Sequence, residues 1–178
     1  MSDKGLRGQH LDIRVGDSAA ASRRKPTRIR TVYVRRKAFD DTLCSLRLAA
    51  PREGYLVWTG RISNGEDAVI QTAFPFSGYA TKRYAEANGR DLDRLRQHLL
   101  QAGDFVFTQV HSHAGVAFHS PTDNIHAFSL KRGFFSIVVP DFGRAQMKDL
   151  TGCAVYELAD KWQRLSDDEV LRRFVLIE

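Results

Sequence analysis

The sequence contains no long apolar run and only two cysteines. Since a membrane-spanning helix needs about 18 or more consecutive apolar residues, no membrane span is expected. The N-terminal stretch MSDKGLRGQHLDIRVG lacks the apolar centre of a signal peptide, so secretion is not expected either. Cys44 and Cys153 lie far apart and lack the spacing of metal ligands, which predicts two reduced thiols and a cytoplasmic protein.

The length of 178 residues suits one domain with a sizeable core and is too short for two ordinary domains. Its hydrophobic content of 43% and charged content of 27% are typical of a folded soluble protein. The sequence shows no internal repeat. A single globular domain is therefore predicted.

The positive charge is concentrated near the N-terminus. Residues 1–37 contain eleven Lys or Arg and three Asp or Glu, a local net charge of +8, whereas the whole chain carries +6. We interpret residues 1–27 as a basic arm and linker and residues 28–178 as the folded domain. The stretch SRRKPTRIRTVYVRRK also suits a nucleic-acid patch or a docking site for an acidic partner. Because no aromatic stacking platform or reading helix accompanies it, a solvated arm is favoured and nucleic-acid binding is not expected.

Hydrophobic periodicity predicts a mixed α/β (α+β) fold, in which helices flank a mixed sheet. The Asn-Gly pair at residues 64–65 predicts a hairpin turn. A capping box at Ser166 and Glu169 predicts a final helix, and Asp91 is expected to cap an earlier one. The predicted strands span residues 28–34, 54–62, 68–76, 104–110, 134–140 and 152–158, with a weaker one at 10–15. The predicted helices span residues 37–49, 92–102, 122–131 and 166–177.

Four of the six histidines lie within residues 107–128. His111 and His113 leave a predicted buried strand, where residues i and i+2 point to the same side. Asp123 can supply a third ligand if the intervening loop folds back. Two imidazoles and one carboxylate suit zinc and leave its fourth position open, as in catalytic sites. The His-x-His spacing alone is a weak signal, and ordinary surface or hydrogen-bonded histidines remain the alternative.

The surrounding residues add a resemblance to a known family. HSHAG followed by SPTD resembles the JAMM motif of the JAB/MPN metalloproteases, in which His-x-His-Pro precedes Ser-x-x-Asp. These proteins also carry a glutamate between a helix and a strand, a place that Glu53 holds in PREGYLVWTGR. The resemblance covers about residues 30–160. The sequence departs from the pattern at Ala114, where the family has proline, and in the spacing from His113 to Ser120, which is seven residues rather than eight.

The resemblance implies a cytidine deaminase-like architecture and a catalytic zinc ion held by His111, His113 and Asp123. It implies that Glu53 deprotonates the attacking water, and that Ser120 hydrogen-bonds the oxyanion or orients the water. Taken alone, Glu53 would be a surface carboxylate at the end of a helix, and Ser120 would be an ordinary loop or capping residue. His119 and His126 are expected to be non-ligands, with His119 at the site rim or solvated.

For function, the resemblance implies a zinc metallopeptidase that cleaves the amide bond after the C-terminus of a ubiquitin-like modifier, by deconjugation or precursor maturation. Similar compact bacterial domains work beside E1-like and E2-like proteins, several of them in antiviral defence. Two alternatives stay open: a peptidase for a sulfur-carrier protein, and a catalytically silent scaffold that binds partners. The connection at residues 77–90 is a candidate wall of the substrate groove, where an extended tail would add as a strand.

Overall fold

The computed structural model describes residues 29–78, 87–125 and 127–178. Within them, eight strands form one sheet in the order β7-β6-β5-β4-β2-β3-β1-β8. The strands are β1 Thr31–Arg35, β2 Tyr55–Ser63, β3 Asp67–Pro75, β4 Phe105–Ser112, β5 Phe135–Val139, β6 Ala154–Leu158, β7 Trp162–Arg164 and β8 Phe174–Ile177. The helices are α1 Arg36–Ala49, α2 Gly89–Ala102, α3 Pro121–Ile125 and α4 Asp167–Arg173, with a 3-10 turn at Pro140–Gly143.

The sheet is mixed, which confirms the predicted fold class. β4 runs antiparallel to β2 and parallel to β5, while β1 runs parallel to both β3 and β8. β2 and β3 form the predicted hairpin, in which Asn64 and Gly65 have φ angles of 52° and 78°. Positive φ at both central residues is the requirement of the turn that suits twisted strands.

Helices cover both faces of the sheet. Phe39, Leu43 and Leu46 of α1 join a large buried cluster that includes Leu56 and Trp58 of β2. Val57 points to the opposite face, since side chains alternate along a strand, and packs with Leu95 and Leu99 of α2. The indole N–H of Trp58 donates to Thr42 Oγ1 at 2.8 Å, which joins α1 to the centre of the sheet.

Two predicted helices are too long. The third helix ends at Ile125 instead of residue 131. The last one ends at Arg173, and Phe174–Ile177 forms β8 beside β1. The buried Arg173 guanidinium donates to Glu157 at 2.7 Å and to the backbone oxygen of Ile29 at 2.7 Å, so it anchors the helix end against the sheet. The apolar tail is thereby placed where it can complete a strand pair.

Smaller differences concern ends and edges. The cap of α2 is Asn88, and Asp91 is instead the third helical residue of a reciprocal capping box. Strand β7 was not predicted. The candidate strand at residues 10–15 and most of the candidate groove wall, residues 79–86, lie outside the described residues. Among the helices that are described, none has the length and apolar character needed to cross a membrane.

Candidate metal centre

The two histidines of the His-x-His motif lie at the end of β4, in the interior of the sheet. His111 pairs with Tyr55 of β2 and with Val138 of β5. The N–H of His113 donates to the Val139 oxygen at 3.0 Å, just beyond the strand. Both histidines are buried, and their ring centroids lie 5.1 Å apart. The strand alternation therefore places both rings on one side, as predicted.

Ser112, between the two histidines, holds the segment that carries Glu53. Its hydroxyl accepts a hydrogen bond from the Gly54 N–H at 3.0 Å, and its own N–H donates to the Gly54 oxygen at 3.1 Å. A Cβ atom at Gly54 would lie 2.8 Å from Leu46 Cδ2 and 3.1 Å from Leu46 Cα, so the segment passes very close to α1. Glu53 is thereby held beside His113, with 3.8 Å between its Oε1 and the His113 Nε2.

Asp123 approaches the histidines from α3. Its Oδ1 lies 3.3 Å from Nε2 of His111, and its Oδ2 lies 3.8 Å from Nε2 of His113. One ligand atom from each of these three residues can be chosen so that all lie within 4.8 Å of one another. The intervening loop therefore folds back as the ligand hypothesis requires.

The donor set fits a cation. Nε2 of His111 is buried and makes no hydrogen bond to any of the residues that the structure describes, although Asp123 Oδ1 lies 3.3 Å away. A buried nitrogen without a partner is costly unless something else occupies its lone pair. Two imidazole nitrogens and one carboxylate form a set that suits divalent ions such as zinc.

Glu53 is not the surface carboxylate that its position after a helix allowed. It is only 6% exposed. Burial, and secondarily the negative charge of Asp123, raise its pKa to about 7. A carboxylate with this pKa can exchange a proton near neutral pH, which is the property of a general base or acid.

The other shifts favour ligand forms of the side chains. Burial, helped by the neighbouring His111, lowers the pKa of His113, so its imidazole is neutral at neutral pH. For Asp123, burial acts to raise the pKa, but the adjacent His111 and the hydrogen bonds from Ser120 outweigh it and lower the pKa. At neutral pH the centre thus offers a neutral imidazole at His113 and an anionic carboxylate.

Ser120 caps α3. Its hydroxyl oxygen accepts from the Asp123 N–H at 3.2 Å, and its own N–H donates to Asp123 Oδ2 at 2.6 Å. In these contacts the hydroxyl only accepts, so its hydrogen can still be donated to a second group. Ser120 therefore acts as a helix cap, which was one of its two possible roles. Capping leaves its hydroxyl hydrogen available for the catalytic hydrogen bond that the resemblance implies.

Sequence reasoning missed part of the site. Ser112 was overlooked because it occupies the variable position of His-x-His, although alternation along the strand predicts that it faces away from the two rings. His119 is half-buried and engaged by hydrogen bonds at both ring nitrogens, and is neither a ligand nor solvated. Phe118 packs edge-on against the His113 ring at 4.9 Å and remains 48% exposed. His126 lies outside the described residues.

Comparison with known proteins points to the same chemistry. No family model matches the chain. It is 29% identical over 160 residues to the protein named probable metalloprotease y4jG of Sinorhizobium fredii, across 84% of this chain and 95% of that protein.

Solved structures share the fold at low sequence identity. A solution structure of a protein from Desulfitobacterium hafniense is 17% identical, covers 83% of this chain and 94% of its own, and superposes with a TM-score of 0.62. One from Salinibacter ruber is 18% identical, covers 75% and 88%, and has a TM-score of 0.52. A JAB1/MPN domain protein from Archaeoglobus fulgidus is 16% identical over 82% of this chain and 99% of its own, but its TM-score of 0.48 adds no support.

Proposed function

We propose that the chain is a zinc-dependent metallopeptidase of the JAB/MPN type that acts on ubiquitin-like proteins. The observation that carries the proposal is the convergence of His111, His113 and Asp123, with Glu53 beside them. These residues lie in three separate parts of the sequence. Their meeting at one buried point matches the motif that the sequence carries.

His111, His113 and Asp123 would hold the zinc ion. A zinc ion bound by three protein ligands lowers the pKa of its water from about 15.7 to about 7 and polarises the carbonyl of the scissile amide. Nε2 of His111, which makes no hydrogen bond to the described residues, would bind the zinc ion. The buried position of the histidines keeps competing water away from the donor atoms.

Glu53 would move the proton. Its carboxylate accepts a proton from the attacking water and passes it to the nitrogen of the leaving amine, so that the amide becomes a carboxylic acid and a free amine. With a pKa raised to about 7, the carboxyl holds and releases this proton near neutral pH. The free hydroxyl hydrogen of Ser120 would donate to the oxygen that becomes negative as the amide is attacked.

The proposed substrate is an amide bond after the C-terminal residue of a ubiquitin-like modifier, joined to a target protein or to a precursor tail. The motif resemblance supports this class, together with the E1-like and E2-like partners and the antiviral setting that it implies. A cytoplasmic location belongs to the same proposal, since ubiquitin-like conjugation takes place there. A sulfur-carrier protein, which ends in a similar tail, is the alternative substrate.

A catalytically silent scaffold is the competing function from another class. A scaffold needs neither a base nor three metal ligands. This chain keeps Glu53 buried beside a complete donor set, with its pKa raised to about 7. Burial makes the ionised form of Glu53 unfavourable. A base that exchanges protons near neutral pH benefits from this, whereas a scaffold gains nothing from it.

The test is cleavage of a ubiquitin-like protein fused through its C-terminal glycine to a reporter, with a sulfur-carrier fusion as the second arm. Wild-type protein should cleave one of them, lose activity with a chelator and recover it with zinc. Glu53→Gln keeps the shape of the side chain but cannot take the proton, so turnover should fall by about 10²–10⁴ with zinc still bound. Full activity of Glu53→Gln would exclude Glu53 as the base, and zinc-loaded wild type that cleaves no modifier would favour the scaffold.

A further inference from the structure

His119 lies next to the metal centre but is used by none of the steps above. Its Nδ1 lies 3.0 Å from Asn124 Oδ1 and its Nε2 lies 3.1 Å from Ser136 Oγ. Its backbone N–H donates to the Tyr156 hydroxyl at 3.1 Å. The ring packs against Tyr156 and Trp162, with centroids 4.7 Å and 4.9 Å away. A half-buried histidine whose backbone N–H and two ring nitrogens are all engaged is held in one orientation.

Donors and acceptors in the hydrogen bonds that lead to His119 can be assigned by starting from the backbone N–H of Phe128, which can only donate. The Phe128 N–H donates to Gln109 Oε1 at 2.6 Å, so the amide nitrogen of Gln109 is the group that lies 3.0 Å from Ser136 Oγ. Because that nitrogen can only donate, the Ser136 oxygen accepts and its hydrogen is available to Nε2 of His119. At the other nitrogen, Asn124 Oδ1 can only accept, so Nδ1 of His119 carries the ring hydrogen and donates to it. The lowered pKa of His119, caused mainly by burial, agrees with a neutral ring.

The helix that presents Asp123 needs such an external contact. α3 has five residues, Pro121–Ile125, and a single turn of helix is not stable in water by itself. The two hydrogen bonds between Ser120 and Asp123 close the turn internally but do not fix where it lies relative to β4. His119 joins Asn124, on that turn, to Ser136 in β5, a strand that pairs directly with β4.

We propose that His119 is a positioning residue for the metal centre: its Nδ1–H holds Asn124 and so fixes α3 where Asp123 meets His111. This inference rests on the proposed metal site. Side chains that orient metal ligands typically change metal affinity by about 10–100-fold when they are removed. His119 should therefore affect how tightly the chain binds zinc without touching the ion.

The test compares zinc dissociation constants, measured by competition with a chromogenic chelator. His119→Phe keeps a ring between Tyr156 and Trp162 but removes both ring hydrogen bonds. Ser136 keeps its bond from Gln109, and Asn124 is exposed to water, so no buried group loses its only partner. We expect the zinc dissociation constant to rise about 10–100-fold. His98→Phe is the matched control, since His98 also bonds a hydroxyl, Thr59 Oγ1 at 2.9 Å, and packs against a ring, but lies on α2.

Variants at Asn124 separate positioning from a general loss of structure. Asn124→Ala should weaken zinc binding as His119→Phe does, and the double variant should be no worse than either single one, because both break the same link. Asn124→Asp keeps an acceptor for Nδ1–H and should restore affinity to within a few-fold of wild type. The melting temperature of the zinc-free protein should be nearly unchanged in Asn124→Ala, because Asn124 is exposed.

The outcomes distinguish the two proposals. Wild-type protein that fails to bind zinc would overturn the proposed function, and this inference with it. Wild type that binds zinc, with His119→Phe or Asn124→Ala binding it equally tightly, would overturn the positioning role alone. Fully additive losses in the double variant, or no rescue by Asn124→Asp, would likewise show that His119 does not act through Asn124.

Discussion

Ser112 and Gly54 exchange two hydrogen bonds: the Gly54 N–H donates to Ser112 Oγ at 3.0 Å, and the Ser112 N–H donates to the Gly54 oxygen at 3.1 Å. Ser112 separates the two histidines in sequence, and Gly54 follows Glu53. The pair therefore fixes the distance between the proposed base and the proposed metal ligands. Since Ser112 points away from the rings, it can do so without competing for the metal.

Ser112→Ala should reduce turnover more than metal binding. The change leaves the buried Gly54 N–H without its acceptor, which costs about 1–3 kcal/mol, and frees the Glu53 segment to shift. We expect the catalytic rate to fall about tenfold or more. Zinc affinity should change only a few-fold, because strand pairing still holds His111. Ser45→Ala, which removes a hydroxyl bonded to the Asp41 oxygen on the exposed side of α1, is the control. If Ser112→Ala lost catalytic rate and zinc affinity to the same extent, Ser112 would not act mainly by positioning Glu53.

Asp123→Asn should lose most of the bound zinc while α3 stays capped. The asparagine oxygen can still accept the N–H of Ser120, which Asp123 Oδ2 accepts at 2.6 Å. It lacks the negative charge that the lowered pKa of Asp123 maintains and is a much weaker zinc ligand. Native mass spectrometry and elemental analysis would measure zinc per chain, with Asp93→Asn on the exposed side of α2 as the control. Full zinc occupancy in Asp123→Asn would remove Asp123 from the ligand set.

Glu53→Gln should stabilise the metal-free protein at neutral pH. Folding raises the pKa of Glu53 from its ordinary 4.5 to about 7, mainly through burial. Below pH 4.5 the carboxyl is protonated in both the folded and the unfolded chain. Between pH 4.5 and 7 the unfolded chain releases this proton first, so the free energy of unfolding falls as pH rises. Glutamine stays neutral and avoids this loss.

The check is the difference in melting temperature between Glu53→Gln and wild type, measured with a chelator across this pH range. The difference should be small near pH 4.5, grow until about pH 7 and then level off. Effects from groups that do not interact with Glu53 cancel in the difference. Glu66→Gln, an exposed Glu-to-Gln change at the β2–β3 turn, is the matched control. A difference that is constant with pH would mean that folding does not raise the pKa of Glu53.

Removal of residues 1–25 should leave cleavage of a small substrate with an unfolded tail within a few-fold of wild type. The local net charge of +8 belongs to residues 1–37, whereas every proposed site residue lies at or beyond Glu53. Deletion through residue 30 is the contrasting variant. It removes Ile29, which is 1% exposed in the main core, and loss of such a side chain costs about 2–5 kcal/mol. A folded protein lacking residues 1–25 that cannot cleave the peptide would show that the arm builds the site.

Local patterns predicted the elements that carry the site. The alternation of β4 places His111 and His113 on one side, and the spacing of Phe39, Leu43 and Leu46 marks the buried face of α1. Asn64 and Gly65 predict the hairpin because few other residue pairs tolerate positive φ at both positions. The resemblance supplied the catalytic role of Glu53 but not its burial, since a carboxylate after a helix is usually exposed.

The remaining features depend on contacts between distant parts of the chain. Phe174–Ile177 continues a helical pattern without Gly or Pro to end it, and becomes a strand because β1 offers an unpaired edge. The turn of α3 stops at Ile125, where the sequence has no helix breaker either. Apart from Asn124, the hydrogen-bond partners of His119 are Tyr156 and Ser136, which come from β6 and β5, so no spacing around His119 could have indicated them.

Strand β4 is the fourth of eight in the sheet, with three strands on one side and four on the other. Local opening of a folded chain begins at margins that few contacts hold, and reaches the interior of a sheet only close to global unfolding. β7 and β8 can therefore detach while the ladder that positions His111 stays intact. The histidine pair should persist through such partial openings and disperse only when the whole domain unfolds cooperatively.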